Sequence, residues 1–205
     1  MSGCGCEIEI KDKAQRRVLI VLLAINLVMF LVEITLGVIS ESTALIADSL
    51  DMLADATVYA IGLYAVGKAA LVKVKAAHIS GVLQILLGTL VFFDIVRRAI
   101  LGSEPESFLM MVVGLAALVA NVICLQLISK HREGEVHMRA SWIFSKNDVI
   151  ANVGIIIGGG LVYLLDSRYP DLIIGLVISA IVIRGGFHII KDANKEKQKL
   201  SQSEI

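Results

Sequence analysis

The sequence predicts an all-α membrane protein: a bundle of six transmembrane helices with both termini cytoplasmic. Three observations carry this. The chain has 205 residues, of which 57% are hydrophobic, and its mean hydropathy is +0.80. Its apolar residues come in blocks of about 20, the length a helix needs to span the hydrocarbon core. Its basic residues cluster on alternate connections. The spans are read at roughly 18–39, 43–66, 76–96, 107–128, 140–165 and 171–190. Such blocks also occur in the core of a large soluble protein, but little chain remains here to cover six of them.

The remainder is an N-terminal tail, residues 1–17, and a C-terminal tail, residues 191–205, each too short for a core of its own. The 18–190 segment is read as one membrane domain. The first apolar run is too long for a signal-peptide core and has no small-residue cleavage site after it, so no cleavable signal is expected.

Orientation follows from the basic residues. With the N-terminus inside, the cytoplasmic segments hold Lys11, Lys13, Arg16, Arg17, Lys68, Lys73, Lys75, Lys130, Arg132, Arg139, Lys191, Lys195, Lys197 and Lys199. The opposite side holds Arg97, Arg98 and Arg168. That asymmetry fits the positive-inside rule. Net charge is zero and no basic tract suggests a nucleic-acid partner.

The first span carries Asn26 and Glu33, seven residues apart and on one face; Glu33 either lines a cavity or is wetted at the outer end. A short SES turn (40–42) leads into the second span, the most unusual of the six. Within it, ADSLDMLADA (47–56) places Asp48, Asp51 and Asp55 in an arc of about 60°, a stripe about 10 Å long. An ionised aspartate buried in hydrocarbon costs several kcal/mol unless paired, hydrated or bound to a cation (about 3 kcal/mol on insertion scales). The stripe should therefore face the bundle interior.

The third span follows a basic turn (67–75), and SEPES (103–107) links it to the fourth. There Asn121 suits an interhelical hydrogen bond and Cys124 a small core position. The fifth span contains FSKND (144–148), with Asp148 about 12–13 Å in from the cytoplasmic end, near the depth of Asp55. Asn152 lies one turn beyond Asp148 on the same face, and Asn147 is adjacent. Lys146 falls about 160° around the helix from Asp148. It could neutralise an aspartate elsewhere or reach the inner surface. Gly154, Gly158, Gly159 and Gly160 on this span, with Gly175, Gly185 and Gly186 on the sixth, suit close helix packing. Short loops throughout imply antiparallel neighbours.

Oxygen donors from two helices at matched depth suit a divalent cation or protons. Against this stand structural ion pairing and an intramembrane enzyme. CDP-alcohol phosphotransferases also carry membrane aspartates, but their Asp-Gly and Ala-Arg elements are missing here, and an enzyme is not expected.

STALIADSLDMLADA on the second helix and FSKND on the fifth, in a six-span chain, resemble the cation diffusion facilitator family. The similarity covers nearly all of the chain except the tails. The resemblance implies export of a divalent transition metal from the cytoplasm in exchange for protons, across a prokaryotic inner membrane. It places the metal ligands on Asp51, Asp55 and Asp148, with Asp48 a motif residue not usually counted among them. Two departures stand out. The fifth helix has Phe144 where the family has His or Asp, and the family's cytoplasmic C-terminal domain is not found, as in a short single-domain branch. Asp48, Ser145, Asn147, Asn152 or water could supply a fourth ligand. A site without imidazole tilts toward Mn²⁺, Fe²⁺ or Co²⁺ while leaving Zn²⁺ and Cd²⁺ open. No prosthetic group is expected. A homodimer stays open, as does a non-transporting role as metal sensor or partner subunit of another transporter.

Cys4 and Cys6 form a Cys-x-Cys on the N-terminal tail. In a reducing compartment they would be free thiols, either a loose metal-capture site or an incidental terminus. His78, His131, His137 and His188 lie near the inner mouth and could exchange metal there or serve as boundary residues.

Overall fold

The computed structural model describes residues 4–65, 70–129 and 136–203, all but their short connections helical. Six helices follow in order: α1 (Cys4–Ile39), α2 (Thr43–Ala65), α3 (Ala70–Leu101), α4 (Ser107–Ser129), α5 (Val136–Leu165) and α6 (Tyr169–Ser203). Each contains one of the expected apolar blocks. Several run well past it. α6 continues through KDANKEKQKLSQS, because Lys, Glu, Gln and Ala are good helix formers in water as well as in lipid.

Among the described residues, five of the six helices contain stretches long and apolar enough to cross a membrane, and α2 is the exception. Its three aspartates take it over any lipid-facing composition. The arrangement accounts for this: α2 is the one helix in contact with all the others. The most extensive pairings are α3 with α6, α1 with α2 and α4 with α5. Large apolar side chains on the other helices point outward, such as Phe93 at 64%, Phe108 at 65% and Phe187 at 60% exposure. A bundle that turns phenylalanine out and aspartate in is built for lipid surroundings.

The α3–α6 pair is drawn together by glycine. A Cβ added at Gly81 would meet the Gly186 carbonyl oxygen at 2.8 Å, and one at Gly186 would meet the Gly81 oxygen at 2.7 Å. Farther along, Ser179 Oγ donates to the Gly88 carbonyl at 2.9 Å. Two backbones at this separation leave no room for a methyl group.

At one end of the bundle the connections are tied to each other. The Glu106 N–H donates to the Ser40 carbonyl at 2.8 Å, and Arg98 Nη1 donates to the Glu41 carbonyl at 2.7 Å. Glu41 has φ of 50°, a left-handed turn that lets the chain reverse directly into α2. Asp171, from the first turn of α6, caps the N-terminus of α2. Its Oδ2 accepts from the Thr43 N–H at 2.7 Å. Its Oδ1 accepts from the Ala44 N–H at 3.0 Å and the Ser42 hydroxyl at 2.6 Å. This carboxylate stands where a helix N-terminus has unsatisfied donors and positive dipole.

Candidate metal site

The carboxylate stripe of α2 faces inward, as its spacing requires. Asp48, Asp51 and Asp55 are 1%, 8% and 2% exposed, and Asp148 of α5 is 6%. The carboxyl of Asp148 reaches that of Asp55 at hydrogen-bonding separation, so the two helices meet acid to acid. Carboxyl oxygens this close repel unless a proton or a cation lies between them. Asp51 lies near both, with Gln84 of α3 close to its carboxyl. Among the described residues, no three His, Cys, Asp or Glu side chains stand together closely enough to hold one metal ion. Four of the buried carboxyl groups stand as two neighbouring pairs, Asp55 with Asp148 and Glu33 with Asp48.

A tyrosine supports the Asp55–Asp148 pair. Tyr59, one turn along α2 from Asp55 and 1% exposed, donates its hydroxyl to Asp55 Oδ2 at 3.2 Å. The same hydroxyl lies 3.4 Å from Ser145 Oγ. Ser145 is thus beside the pair but already partnered. Neither Tyr59 nor Gln84 was expected from the sequence. Tyr59 had a signal, since its four-residue spacing from Asp55 puts it on the acidic face. Gln84 had none, because a lone glutamine on a third helix does not announce which neighbour it faces.

Farther toward the N-terminus of α2 lies a second polar group. Glu33 is fully buried, which resolves its position in favour of the interior over a wetted helix end. Its carboxyl reaches that of Asp48, and the Asn152 amide is also close to Asp48. Asn152 Nδ2 also donates to the Asp148 carbonyl at 2.7 Å, bridging the two groups.

Other expectations fare variously. Asn121 is buried, but neither of its side-chain polar atoms finds a partner, so the expected interhelical hydrogen bond is not formed. Asn26 Nδ2 donates to the Leu22 carbonyl at 2.9 Å and sits 3.9 Å from Cys124 Sγ. Lys146 is exposed, with its ammonium 5.9 Å from the Trp142 ring centroid, and so does not neutralise the aspartates. His78 Nε2 lies 3.0 Å from Asn194 Oδ1, and His188 Nε2 lies 3.2 Å from Asp192. Both histidines are engaged by polar side chains of α6. The side chains of Cys4, Cys6, His131, His137, Phe144 and Asn147 lie outside the described residues.

The chain is also similar to known proteins. The model of the cation efflux transmembrane domain matches residues 19–196. The zinc transporter ZitB of Yersinia pseudotuberculosis is 25% identical over 209 residues, covering 95% of this chain and 66% of that protein. ZitB of Escherichia coli is 26% identical over 180 residues, covering 81% of this chain and 57% of that one. The cadmium, cobalt and zinc/H(+)-K(+) antiporter of Bacillus velezensis is 21% identical, covering 80% and 56% respectively. The chain therefore spans roughly three fifths of the length of the curated relatives it matches.

Proposed function

The chain belongs to the cation efflux family, and from that premise we propose that it carries divalent transition-metal cations out of the cytoplasm in exchange for protons. It is an integral, multi-pass protein of the inner membrane, a transporter-family member and not an enzyme. The transported ion is bound by Asp51, Asp55 and Asp148. The observation carrying this reading is the meeting of Asp55 and Asp148, from two different helices, in the buried centre of the bundle.

The mechanism follows from charge. The paired carboxyls are held apart electrostatically unless something positive joins them. A metal arriving from the cytoplasmic side displaces the proton between Asp55 and Asp148 and draws Asp51 away from Gln84 to complete three carboxylate ligands. Tyr59 holds Asp55 in register as its charge changes. Protons entering from the opposite side then neutralise the carboxylates and release the metal outward. Rocking of the helices around the site alternates access. The two-helix α3–α6 unit, glycine-packed and continuous, is the natural rigid body against which α2 moves.

The ligand set favours oxygen-loving ions, but relatives are named for zinc, cadmium and cobalt, so all of these belong in the test. The purified full chain is reconstituted in proteoliposomes, and flux of Zn²⁺, Cd²⁺, Co²⁺, Mn²⁺, Fe²⁺ and Ni²⁺ is followed under an imposed pH gradient. Saturable flux of at least one ion that collapses with the gradient, and is lost in Asp51→Ala and Asp148→Ala, is expected. Binding without flux for every ion would make the chain a non-transporting metal-binding partner.

A further inference from the structure

The proposed transport site uses three of five carboxyls buried among α1, α2 and α5, leaving Glu33 and Asp48. We propose that Glu33, Asp48 and Asn152 form a second station for a divalent cation, one helical turn nearer the N-terminus of α2 than the central cluster. The proposal rests on the central cluster being the transport site.

Geometry supports two levels. α2 and α5 run antiparallel, so stepping from Asp51 back to Asp48 and from Asp148 on to Asn152 moves toward the same end of the bundle. Each step is about 4.5–6 Å along the axis. Glu33 meets this level from α1, its carboxyl against that of Asp48. Three helices thus contribute one group each.

The accounting of donors is what points to a cation. Glu33, Asp48 and Asn152 are 0%, 1% and 0% exposed. Glu33 Oε1, Glu33 Oε2, Asp48 Oδ2 and Asn152 Oδ1 all lack a hydrogen-bond donor. Buried acceptors are nearly always satisfied. A single proton shared by the two carboxyls would serve two of these oxygens, its own and the one facing it, and leave two without a partner. One divalent ion accepts all of them, since hard cations take several oxygen ligands. Two carboxylates also balance its charge in a region where net charge is costly. With the central level, five carboxylates face two doubly charged ions. Two adjacent stations give a transported ion somewhere to go, and mutual repulsion between the occupants speeds its release.

Mn²⁺ is the probe, because it is an oxygen-preferring ion with an electron-spin signal. The full chain in detergent is titrated with Mn²⁺, and bound ions per chain are counted by equilibrium dialysis. Two ions per chain are expected, with spin–spin broadening between neighbours a helical turn apart. Glu33→Gln, nearly the same shape without the charge, should reduce the count to one and remove the broadening. Asp48→Asn, as a second variant, should do the same. Asp51→Asn with Asp148→Asn should also leave one ion, now at the second station. A single ion in the wild-type chain, lost only with the central aspartates, would overturn the second station and leave the transport site standing. So would two ions still bound and broadened in both Glu33→Gln and Asp48→Asn. Loss of neither ion in the central double variant would instead overturn the transport-site assignment on which this proposal rests.

Discussion

Asp171 Oδ2 accepts the backbone N–H of Thr43 at 2.7 Å across 128 positions of sequence. A residue of the last helix thereby closes the first turn of the helix that carries the aspartate stripe. Asp171 is fully buried, so its three donors have no ready access to bulk solvent. Asp171→Ala removes three accepted hydrogen bonds and is expected to destabilise the protein by about 2–4 kcal/mol. Thermal unfolding in detergent measures this. Asp171→Asn, which keeps one acceptor oxygen but replaces the other with an NH2 donor and loses the charge, should fall between.

Asp148→Asn preserves the shape of its side chain but cannot serve as a charged ligand. Metal affinity should drop by at least about 100-fold, since even groups supporting a metal ligand are worth 10–100-fold. Direct titration of the purified variant checks this, with melting temperature as the control. Unchanged affinity would remove Asp148 from the site.

Tyr59→Phe deletes only the hydroxyl that donates to Asp55 at 3.2 Å. Affinity is expected to fall about 10-fold while the bundle stays folded. The comparison with Ser145→Ala separates the two contacts of that hydroxyl. The serine change should matter less, because its partner sits 3.4 Å away.

Gly81→Ala would push a methyl group to 2.6 Å from Ile190 Cγ1 and 2.8 Å from the Gly186 oxygen. The second of these is backbone and cannot swing aside, so a loss of about 1–3 kcal/mol is expected. Gly160→Ala is the matched control: nothing lies within 4 Å of its added Cβ. There alanine should be neutral or stabilising by up to about 1 kcal/mol. Paired unfolding measurements test whether α3 and α6 are held by close approach or merely by composition.

How much of this was legible beforehand depends on where the information sits. The inward face of α2 was readable from Asp48, Asp51 and Asp55 alone, because 3.6 residues per turn fixes their direction and desolvation fixes which way they must point. The depth match with Asp148 followed from counting residues from each helix end. Helix ends were less readable: hydropathy marks where lipid stops, and α6 continues to Ser203 regardless. The pairing of Glu33 with Asp48, and of Asp51 with Gln84, was not readable at all. Each depends on the rotation of one helix against another, set by packing summed over whole interfaces. Asn121 shows the reverse, a polar residue whose type suggested a bond that its surroundings do not provide.

The acidity of α2 also bears on how the chain is made. Placed alone in hydrocarbon, its three aspartates oppose entry by roughly 8–10 kcal/mol in total, while each leucine or isoleucine returns only about half a kcal/mol. α2 is thus a poor candidate for independent partitioning as it leaves the ribosome. It must either wait beside α1 at the insertion machinery or be drawn in late, when α5 and α6 arrive to shield it. Biogenesis then becomes an obligate cooperative step, and truncations ending before Asp148 should strand this helix at the membrane surface.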